Sequence, residues 1–488
     1  AAHRDGQVNV AELRARSRLI EHTLNALGVP VSVVEVNPGP AVTQFGLEPG
    51  YIERKDRQGR STRSKVKVSR IQGLSNDLAL ALAASPIRIE APVPGKSVVG
   101  VEVPNSEPAL VGLRGVLESD EYRAQRSPLA VALGRDVSGE AVVADLGALP
   151  HLLIAGSTGS GKSVCVNALI AALLCRNSPE VLRLLMVDPK RVELSGYDGI
   201  PHLLAPVVVD MSRVVGVLQW LLREMDRRYE RLAEAGVRHI GGYNEAAARR
   251  AEPTMPYIVC LIDELADLMM VSSEEVERAL CRLAQMARAT GIHLVVATQR
   301  PSVDVVTGLI KANFPARLAF AVTSQTDSRV ILDTPGAEKL LGRGDALFMA
   351  PDAAKLARVQ GCWVSDEELR TIVGHWRAQA KAVPAGASLP EGPLVQQPLW
   401  GDDDGHAEEA EDALLEEAIA IVTSQGRAST SFLQRALGIG YTRASRLIEA
   451  LEARGIVGPQ PEGNRPREVL VDREGAPLAG AGAPEAGD

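Results

Sequence analysis

The chain has 488 residues, of which 45% are hydrophobic, 23% charged and only 3% aromatic, a globular balance that excludes a wholly disordered, collagenous or coiled-coil protein. At roughly 150 residues per domain the length implies about three domains, with cores of Leu, Val, Ile and Ala. There are 53 basic and 61 acidic side chains, a formal net charge of −8. This argues against a surface that coats nucleic acid everywhere, but it is compatible with a local basic channel. The five cysteines (Cys165, Cys175, Cys260, Cys281, Cys362) are odd in number and contain no CxxC pair. They read as reduced and buried, not as a disulfide framework or zinc site. No stretch reaches the ~18 apolar residues of a membrane span, and no signal peptide is visible. The start at Ala1 is consistent with loss of an upstream segment, an anchor included.

Ala11–Leu27 predicts a helix with Leu13, Leu19, Ile20 and Leu24 on one side, ended by Gly28 and Pro30. Val31–Val36 predicts a strand, and Asn37–Pro40 a turn. Tyr51–Arg70 carries Arg54, Lys55, Arg57, Arg60, Arg63, Lys65, Lys67 and Arg70. Such a run reads first as a solvated hairpin or loop and second as a nucleic-acid contact. Ser75–Ala84 reads as a helix, with strands following to Val103. From about Ser127 to Ala380, strand candidates (His151–Ala155, Leu182–Val187, Tyr257–Ile262, Ile292–Ala297, Arg317–Val322) alternate with helical patterns (Lys162–Leu174, Ser212–Ala235, Ser273–Ala289). That alternation predicts an α/β domain with a parallel sheet covered by helices. Ala380–Asp412 is rich in Pro, Gly and acids and reads as a flexible linker. Residues 413–472 form a small unit, and a Gly/Ala/Pro tail follows.

Gly156-Ser-Thr-Gly-Ser-Gly-Lys-Ser163 is a P-loop pattern, entered by an apolar strand and left by a helical run. Its residues Gly156, Ser157, Thr158, Gly159, Ser160, Gly161, Lys162 and Ser163 predict an ATP site in which backbone N–H groups surround phosphates. Lys162 is expected to neutralise the β- and γ-phosphates and Ser163 to ligate Mg²⁺. Tyr257–Ile262 is a buried strand that runs into Asp263 and Glu264, the expected Mg²⁺-side acid and general base. This pair favours hydrolysis over mere binding. Ile292–Ala297 leads to Gln299, a candidate sensor of the γ-phosphate or the attacking water. Val187-Asp188-Pro-Lys190-Arg191 brings further charges to the same edge, where Asp188 and Lys190 are either structural salt-bridge partners or functional.

In the C-terminal unit, Leu414–Thr423, Ser429–Leu437 and Tyr441–Arg454 read as helices, the last two separated by the Gly438-Ile-Gly440 turn. This is a helix-turn-helix pattern. Ala444, Leu447, Ile448 and Leu451 share one face of the third helix. Thr442, Arg443, Arg446 and Glu449 share the other, with donors and an acceptor suited to base edges. Gly455–Val457 and Glu468–Val471 predict a two-stranded wing, with Arg465 and Arg467 near phosphates. A protein-binding helical module is the alternative.

By its motifs the chain resembles the motor region of the FtsK/SpoIIIE family of bacterial DNA translocases. These are Ala155–Asn167, Met186-Val-Asp-Pro-Lys190, Ile262-Asp-Glu-Leu-Ala-Asp-Leu-Met269, Ala297-Thr-Gln-Arg-Pro301 and Asp327-Ser-Arg329. Val42–Val103 resembles the family's α part and Gly438–Arg446 its γ part. The resemblance implies a small α+β domain (1–125), a RecA-like P-loop ATPase (126–380), a linker (381–412), a winged-helix γ domain (413–472) and a disordered tail (473–488). It further implies ATP and Mg²⁺, a homo-hexamer around double-stranded DNA, and a role in chromosome segregation at cell division. A site-specific recombinase is the implied partner of the C-terminal domain. The implied location is cytoplasmic, at the inner face of the cell membrane where an upstream anchor is present. ATP between subunits requires a cation from a neighbour, for which Arg300, Arg317, Arg329 and Arg343 are candidates. Two features depart from the family pattern: Tyr51–Lys67 looks like an insertion, and Thr442 stands where Asn is common. The competing readings are a related ring ATPase that moves single-stranded DNA or protein, and a winged-helix regulator whose P-loop only senses nucleotide.

Overall fold

In the computed structural model the described residues are 10–55, 61–93, 95–351, 355–382, 415, 418–437, 441–458 and 467–471. The chain divides into two compact units, Ala1–Leu399 and Trp400–Asp488.

The first unit contains two larger sheets and a hairpin. Strands β1 (Val31–Pro38), β2 (Val42–Pro49), β5 (Arg88–Glu90) and β6 (Val99–Pro104) form an antiparallel sheet in the order β1-β2-β6-β5. Helices Val10–Ala26, Val68–Gln72 and Ser75–Ala81 contribute to its core, in which Ile20, Leu24, Phe45, Leu47, Ile71 and Leu78 are buried. The charged segment forms its own hairpin, β3 (Tyr51–Lys55) with β4 (Ser61–Lys65), so the hairpin reading of this run holds.

The larger sheet has nine strands: β7 (Ala130–Asp136), β8 (Ala141–Asp145), β9 (His151–Ala155), β10 (Leu182–Val187), β11 (Tyr257–Ile262), β12 (Ile292–Thr298), β13 (Ala316–Phe320), β14 (Asp345–Met349) and β15 (Ala357–Gly361). Their order is β10-β11-β12-β9-β13-β14-β15-β7-β8. The first five are parallel, as alternation with helices predicts; the other four add antiparallel pairs, so the sheet is mixed where a parallel one was expected. β7 pairs locally with β8 and β14 with β15, and the sequence reading assigned no strands to these segments; only the β15–β7 pairing joins parts far apart in sequence. The central strands are buried on both faces, which is why they read as continuous apolar runs instead of alternating ones.

The helix after β11 starts at Leu265, immediately beyond Glu264 and well before the predicted Ser273. It spans Leu265–Met286 with a non-helical residue at Ser272. The Ser272-Ser273 pair is a common kind of kink site, and the sequence reading detected only the part beyond it.

Buried charge joins the two larger sheets. Arg358 on β15 places Nη1 2.6 Å from Glu102 on β6, and Nη2 and Nε 2.6 and 2.9 Å from the Asp345 carboxylate. Arg88 approaches the other oxygen of Glu102 at 2.9 Å. Cys165, Cys260 and Cys362 are buried, but Cys175 is exposed in the last turn of its helix, contrary to its reading as a core residue. Among the described residues no helix is long and apolar enough to cross a membrane.

In the second unit residues 418–425, Thr430–Leu437 and Tyr441–Ala453 are helical. Ala444, Leu447, Ile448 and Leu451, the face read as apolar, are buried with Val422, Leu433, Val457 and Val469. Antiparallel bridges link Val457 with Val469 and Ala428 with Arg467. Arg467 forms an ion pair with Glu452, so its guanidinium is engaged within the chain and not left for phosphate as expected. The side chains of Thr442, Arg443, Arg446 and Glu449 lie outside the described residues. So do Gly438–Gly440, Arg465, most of the linker and the tail.

Candidate nucleotide site

Adjacent parallel strands end at one edge of the sheet, and their registers bring distant residues into a row. Val187 lies beside Ile262, Ile262 beside Val296, and Thr298 beside Ala155. The next residues along these strands are therefore Asp188, Asp263-Glu264, Gln299 and the glycine-rich loop.

That loop is fastened on both sides. Gly156 N–H donates to the Thr298 carbonyl at 3.3 Å, and Ser157 donates to the Ala321 carbonyl from both N–H (3.0 Å) and Oγ (2.8 Å). Gly344 N–H donates to the Ser160 carbonyl at 2.8 Å. This strap explains one glycine: Gly161 has φ +115°, and a Cβ there would sit 2.5 Å from Gly344 N. Any side chain would need both a disfavoured backbone conformation and displacement of the strap.

Lys162 begins the helix Lys162–Arg176 and is almost completely buried. Its Nζ donates to Asp263 Oδ1 at 2.6 Å and to the Asp263 carbonyl at 2.9 Å. Asp263 Oδ2 and Ser160 Oγ are buried and have no partner within the chain. Orphaned buried oxygens are costly unless something else satisfies them. Asp263 touches Lys162, Ser160 lies in the loop just before it, and Lys162 and Ser163 line one cavity, a donor set that fits a phosphate group with a hard divalent cation.

Glu264 is fully buried and its carboxylate is crowded with donors. Oε1 accepts from Thr298 Oγ1 at 2.7 Å and from Gln299 N–H at 3.1 Å; Oε2 accepts from Lys190 Nζ at 2.9 Å. Burial pushes its pKa up, but the hydrogen bonds from Lys190, Thr298 and Gln299 outweigh it and hold the group below the usual glutamate value. Burial pulls Lys190 down, and contact with Glu264 more than reverses this, so its pKa is raised. Gln299 reaches the loop itself, where its Oε1 accepts from Thr158 Oγ1 at 2.9 Å.

Asp188 and Lys190 are not partners of each other. Asp188 Oδ2 accepts from the N–H groups of Glu193, Leu194 and Ser195 and so pins the turn after β10. Lys190 turns to Glu264. The roles of Lys190 and Thr298 in holding Glu264 escaped sequence reasoning. The available signal was that each is a polar residue at the carboxyl end of a strand next to β11.

The four arginines fall in different places. Arg317 is buried and donates to the carbonyls of Phe314, Ile331 and Lys311 and to Asp333, so its expected availability to a neighbouring subunit is corrected: the guanidinium is a structural tie. Arg343 is exposed and lines the same cavity as its own P-loop. Arg300 is exposed, with Nη1 3.6 Å from Met270 Sδ. Arg329 is exposed on the helix Gln325–Leu332.

The cavity has a volume of about 900 Å³. One wall is the P-loop and Gln299; the other is the segment Pro104–Val111 that leaves β6, together with Trp363. The motif Glu102-Val-Pro-Asn105, part of the resemblance to the family's α part, runs into that second wall, but the sequence did not place it at the nucleotide site.

Three family models match in chain order: the FtsK alpha domain over residues 1–105, the FtsK/SpoIIIE family over 112–303 and the Ftsk gamma domain over 409–472. The chain belongs to the FtsK/SpoIIIE family. The DNA translocase FtsK of Oceanobacillus iheyensis is 51% identical over 473 residues, which cover 96% of this chain and 57% of that protein. The DNA translocase SpoIIIE of Bacillus subtilis is 50% identical over 478 residues, 97% of this chain and 58% of that one. The chain thus spans little more than half the length of these relatives. Among solved structures, the pCW3 conjugation coupling protein TcpA shares the fold, with TM-score 0.51 and 23% identity over 74% of this chain and 99% of TcpA. The cytoplasmic domain of the Thermomonospora curvata type VII secretion ATPase EccC has TM-score 0.50 and 28% identity, covering 55% of this chain and 34% of EccC.

Proposed function

We propose that the chain is an ATP-driven motor that moves double-stranded DNA. The observation that carries the chemical half is the row of Lys162, Asp263, Glu264 and Gln299 at one sheet edge, with two orphaned buried oxygens beside it. The names of the relatives support the DNA half.

ATP is the substrate. Residues 156–163 surround its phosphates, Lys162 leaving Asp263 in part to meet the β- and γ-phosphates. Mg²⁺, held by Ser163 and Asp263, supplies neutralisation of phosphate charge when bound. Glu264 is the general base: already ionised at neutral pH, it takes the proton of the attacking water, while Lys190 and Thr298 fix its orientation. Gln299 bridges the loop and the base and orients that water. Arg300, Arg329 and Arg343, all exposed, are the arginines suited to reach a neighbouring subunit's nucleotide in a homo-hexamer around the duplex. Residues 1–125 serve as coupling domain and 126–380 as motor. Residues 413–472 serve as a DNA reader in which Thr442, Arg443, Arg446 and Glu449 face the bases. Chromosome segregation at division is the cellular role this implies.

The rival cargo readings, single-stranded DNA or protein, draw on the fold shared with EccC. Lys162→Ala tests the motor directly. It removes the phosphate contact and should abolish ATP turnover and displacement of a third strand from duplex DNA together. Turnover near wild type would exclude the P-loop assignment.

A further inference from the structure

The charged segment 51–70 holds eight of the 53 basic side chains and only two of the 61 acidic ones, in a chain whose net charge is −8. Nothing in the nucleotide site uses it. β3 and β4 pair only with each other, in the register Tyr51–Lys65, Glu53–Arg63 and Lys55–Ser61. An isolated two-stranded hairpin is marginal in water. Here its base is anchored, with Ile52 packed against the α core and Val66 buried in it.

Period-two geometry sorts the rest. Val66 faces inward, so Arg63, Lys65 and Lys67, at alternate positions around it, line the outward side of one extended run, and all three are exposed. Alternate side chains on an extended chain lie about 6.8 Å apart, close to two phosphate rises of about 3.4 Å along one DNA strand. Arg70, also exposed, lies on the following helix, three residues beyond Lys67.

Several exposed arginines elsewhere meet acids, Arg114 with Glu118, Arg249 with Glu245, Arg278 with Glu274 and Arg282 with Asp226, whereas Arg300 and Arg329 meet none among the described residues. Among the described residues none of Arg63, Lys65, Lys67 and Arg70 pairs with a carboxylate. Even Glu53, directly across the ladder, is not used, because Arg63 lies over the Tyr51 ring at 4.3 Å. Four cations without a carboxylate partner, three of them at alternate positions of one extended run beside an anchored hairpin, are complementary to a polyanion.

We propose that the face formed by Arg63, Lys65, Lys67 and Arg70 is a sequence-independent contact for the phosphate backbone of duplex DNA, additional to any grip by the ATPase. The proposal rests on the reading of the chain as a duplex-DNA motor. The alternate placement of Arg63, Lys65 and Lys67 favours DNA over an anionic membrane, whose headgroups have no fixed repeat.

The test uses the full chain and a quadruple variant with Arg63, Lys65, Lys67 and Arg70 changed to Gln. A control changes the paired Arg249, Arg250, Arg278 and Arg282 to Gln, with the same loss of charge. Binding to a random-sequence duplex is measured between 50 and 200 mM salt. Each lost phosphate contact lowers the slope of log K against log salt by about 0.9. The hairpin variant should therefore lose about 2–4 from the slope, while the control variant and the DNA-independent ATPase of both stay at wild type. An unchanged slope, or an equal fall in the control, overturns the proposal. So does loss of binding to phosphatidylglycerol vesicles with duplex binding intact, which would make the face a membrane contact. If the wild-type chain itself fails to bind duplex, the functional reading falls with it; if only the hairpin variant behaves like wild type, that reading stands and the hairpin contact alone is wrong.

Discussion

Replacing Glu264 by Gln keeps the shape of the side chain and removes its ability to accept a proton. In the folded chain Glu264 accepts from Lys190 Nζ at 2.9 Å, Thr298 Oγ1 at 2.7 Å and Gln299 N–H at 3.1 Å. Glutamine retains a carbonyl oxygen for Thr298 and Gln299 but presents an amide NH₂ to the Lys190 ammonium. A charge-assisted hydrogen bond is lost, worth about 1.5–3 kcal/mol where fully buried. Lys190 is 36% exposed, so water takes over part of that contact and the expected destabilisation is on the order of 1 kcal/mol. The chemical step suffers more. Losing a general base costs about 10²–10⁴ in rate, roughly 3–5 kcal/mol of barrier. The variant should thus fold, bind ATP with near-normal affinity and turn it over at least ~100-fold more slowly. The assay is single-turnover hydrolysis of labelled ATP, beside equilibrium binding of a fluorescent ATP analogue. Turnover within about threefold of wild type, with binding intact, would refute the reasoning and move the base to another group, Gln299-bound water being the next to examine.

Lys190→Met removes the cation that helps depress the Glu264 pKa, leaving burial less opposed, so that pKa rises. Because hydrolysis needs ionised Glu264, the acidic limb of kcat against pH should move upward; coincident profiles would disconnect Lys190 from the base. Arg358→Leu leaves Glu102 and Asp345 buried without their shared cation, and denaturant unfolding should register a loss of about 3–5 kcal/mol; a loss below about 1 kcal/mol would contradict it. Burial lowers the pKa of His151 to about 3 and of His293 to about 4, whereas unfolded histidine titrates near 6.5. The unfolded chain therefore binds more protons between pH 6.5 and 4, and stability falls as pH falls through that window. His293→Phe should remove about 3 kcal/mol of that pH dependence, read as a flatter dependence of the urea midpoint on pH; parallel curves would count against it.

Legibility in the sequence followed locality. The P-loop, the strand ending in Asp263-Glu264 and the strand leading to Gln299 carry their signals within ten residues, and those same strands lie side by side in the sheet. The hairpin at residues 51–65 was visible as a run of charge and the buried face Ala444–Leu451 through its 3.6 spacing, both local properties. What depends on partners far away in the chain was hidden. The β15–β7 pairing, which joins two local antiparallel pairs into the one sheet, links residues more than 200 positions apart. Arg317 looked available because nothing near it in sequence announces the carbonyls of Ile331 and Phe314 that it binds. Nothing in the sequence near Arg343 shows that the Gly344 strap brings it to the cavity of its own P-loop. Lys190 was read beside Asp188 because they are two residues apart, whereas its partner, Glu264, comes from the neighbouring strand.

The central claim is that hydrolysis at Lys162, Asp263 and Glu264 is coupled to movement on duplex DNA. Steady-state ATPase of the full chain, measured alone, with long duplex, with single-stranded DNA of equal length and with short duplex, tests it most directly. The account predicts strong stimulation by long duplex, weak stimulation by short duplex and little by single strands, all abolished in Lys162→Ala. Stimulation by single strands equal to that by long duplex, or a rate indifferent to DNA, would contradict it.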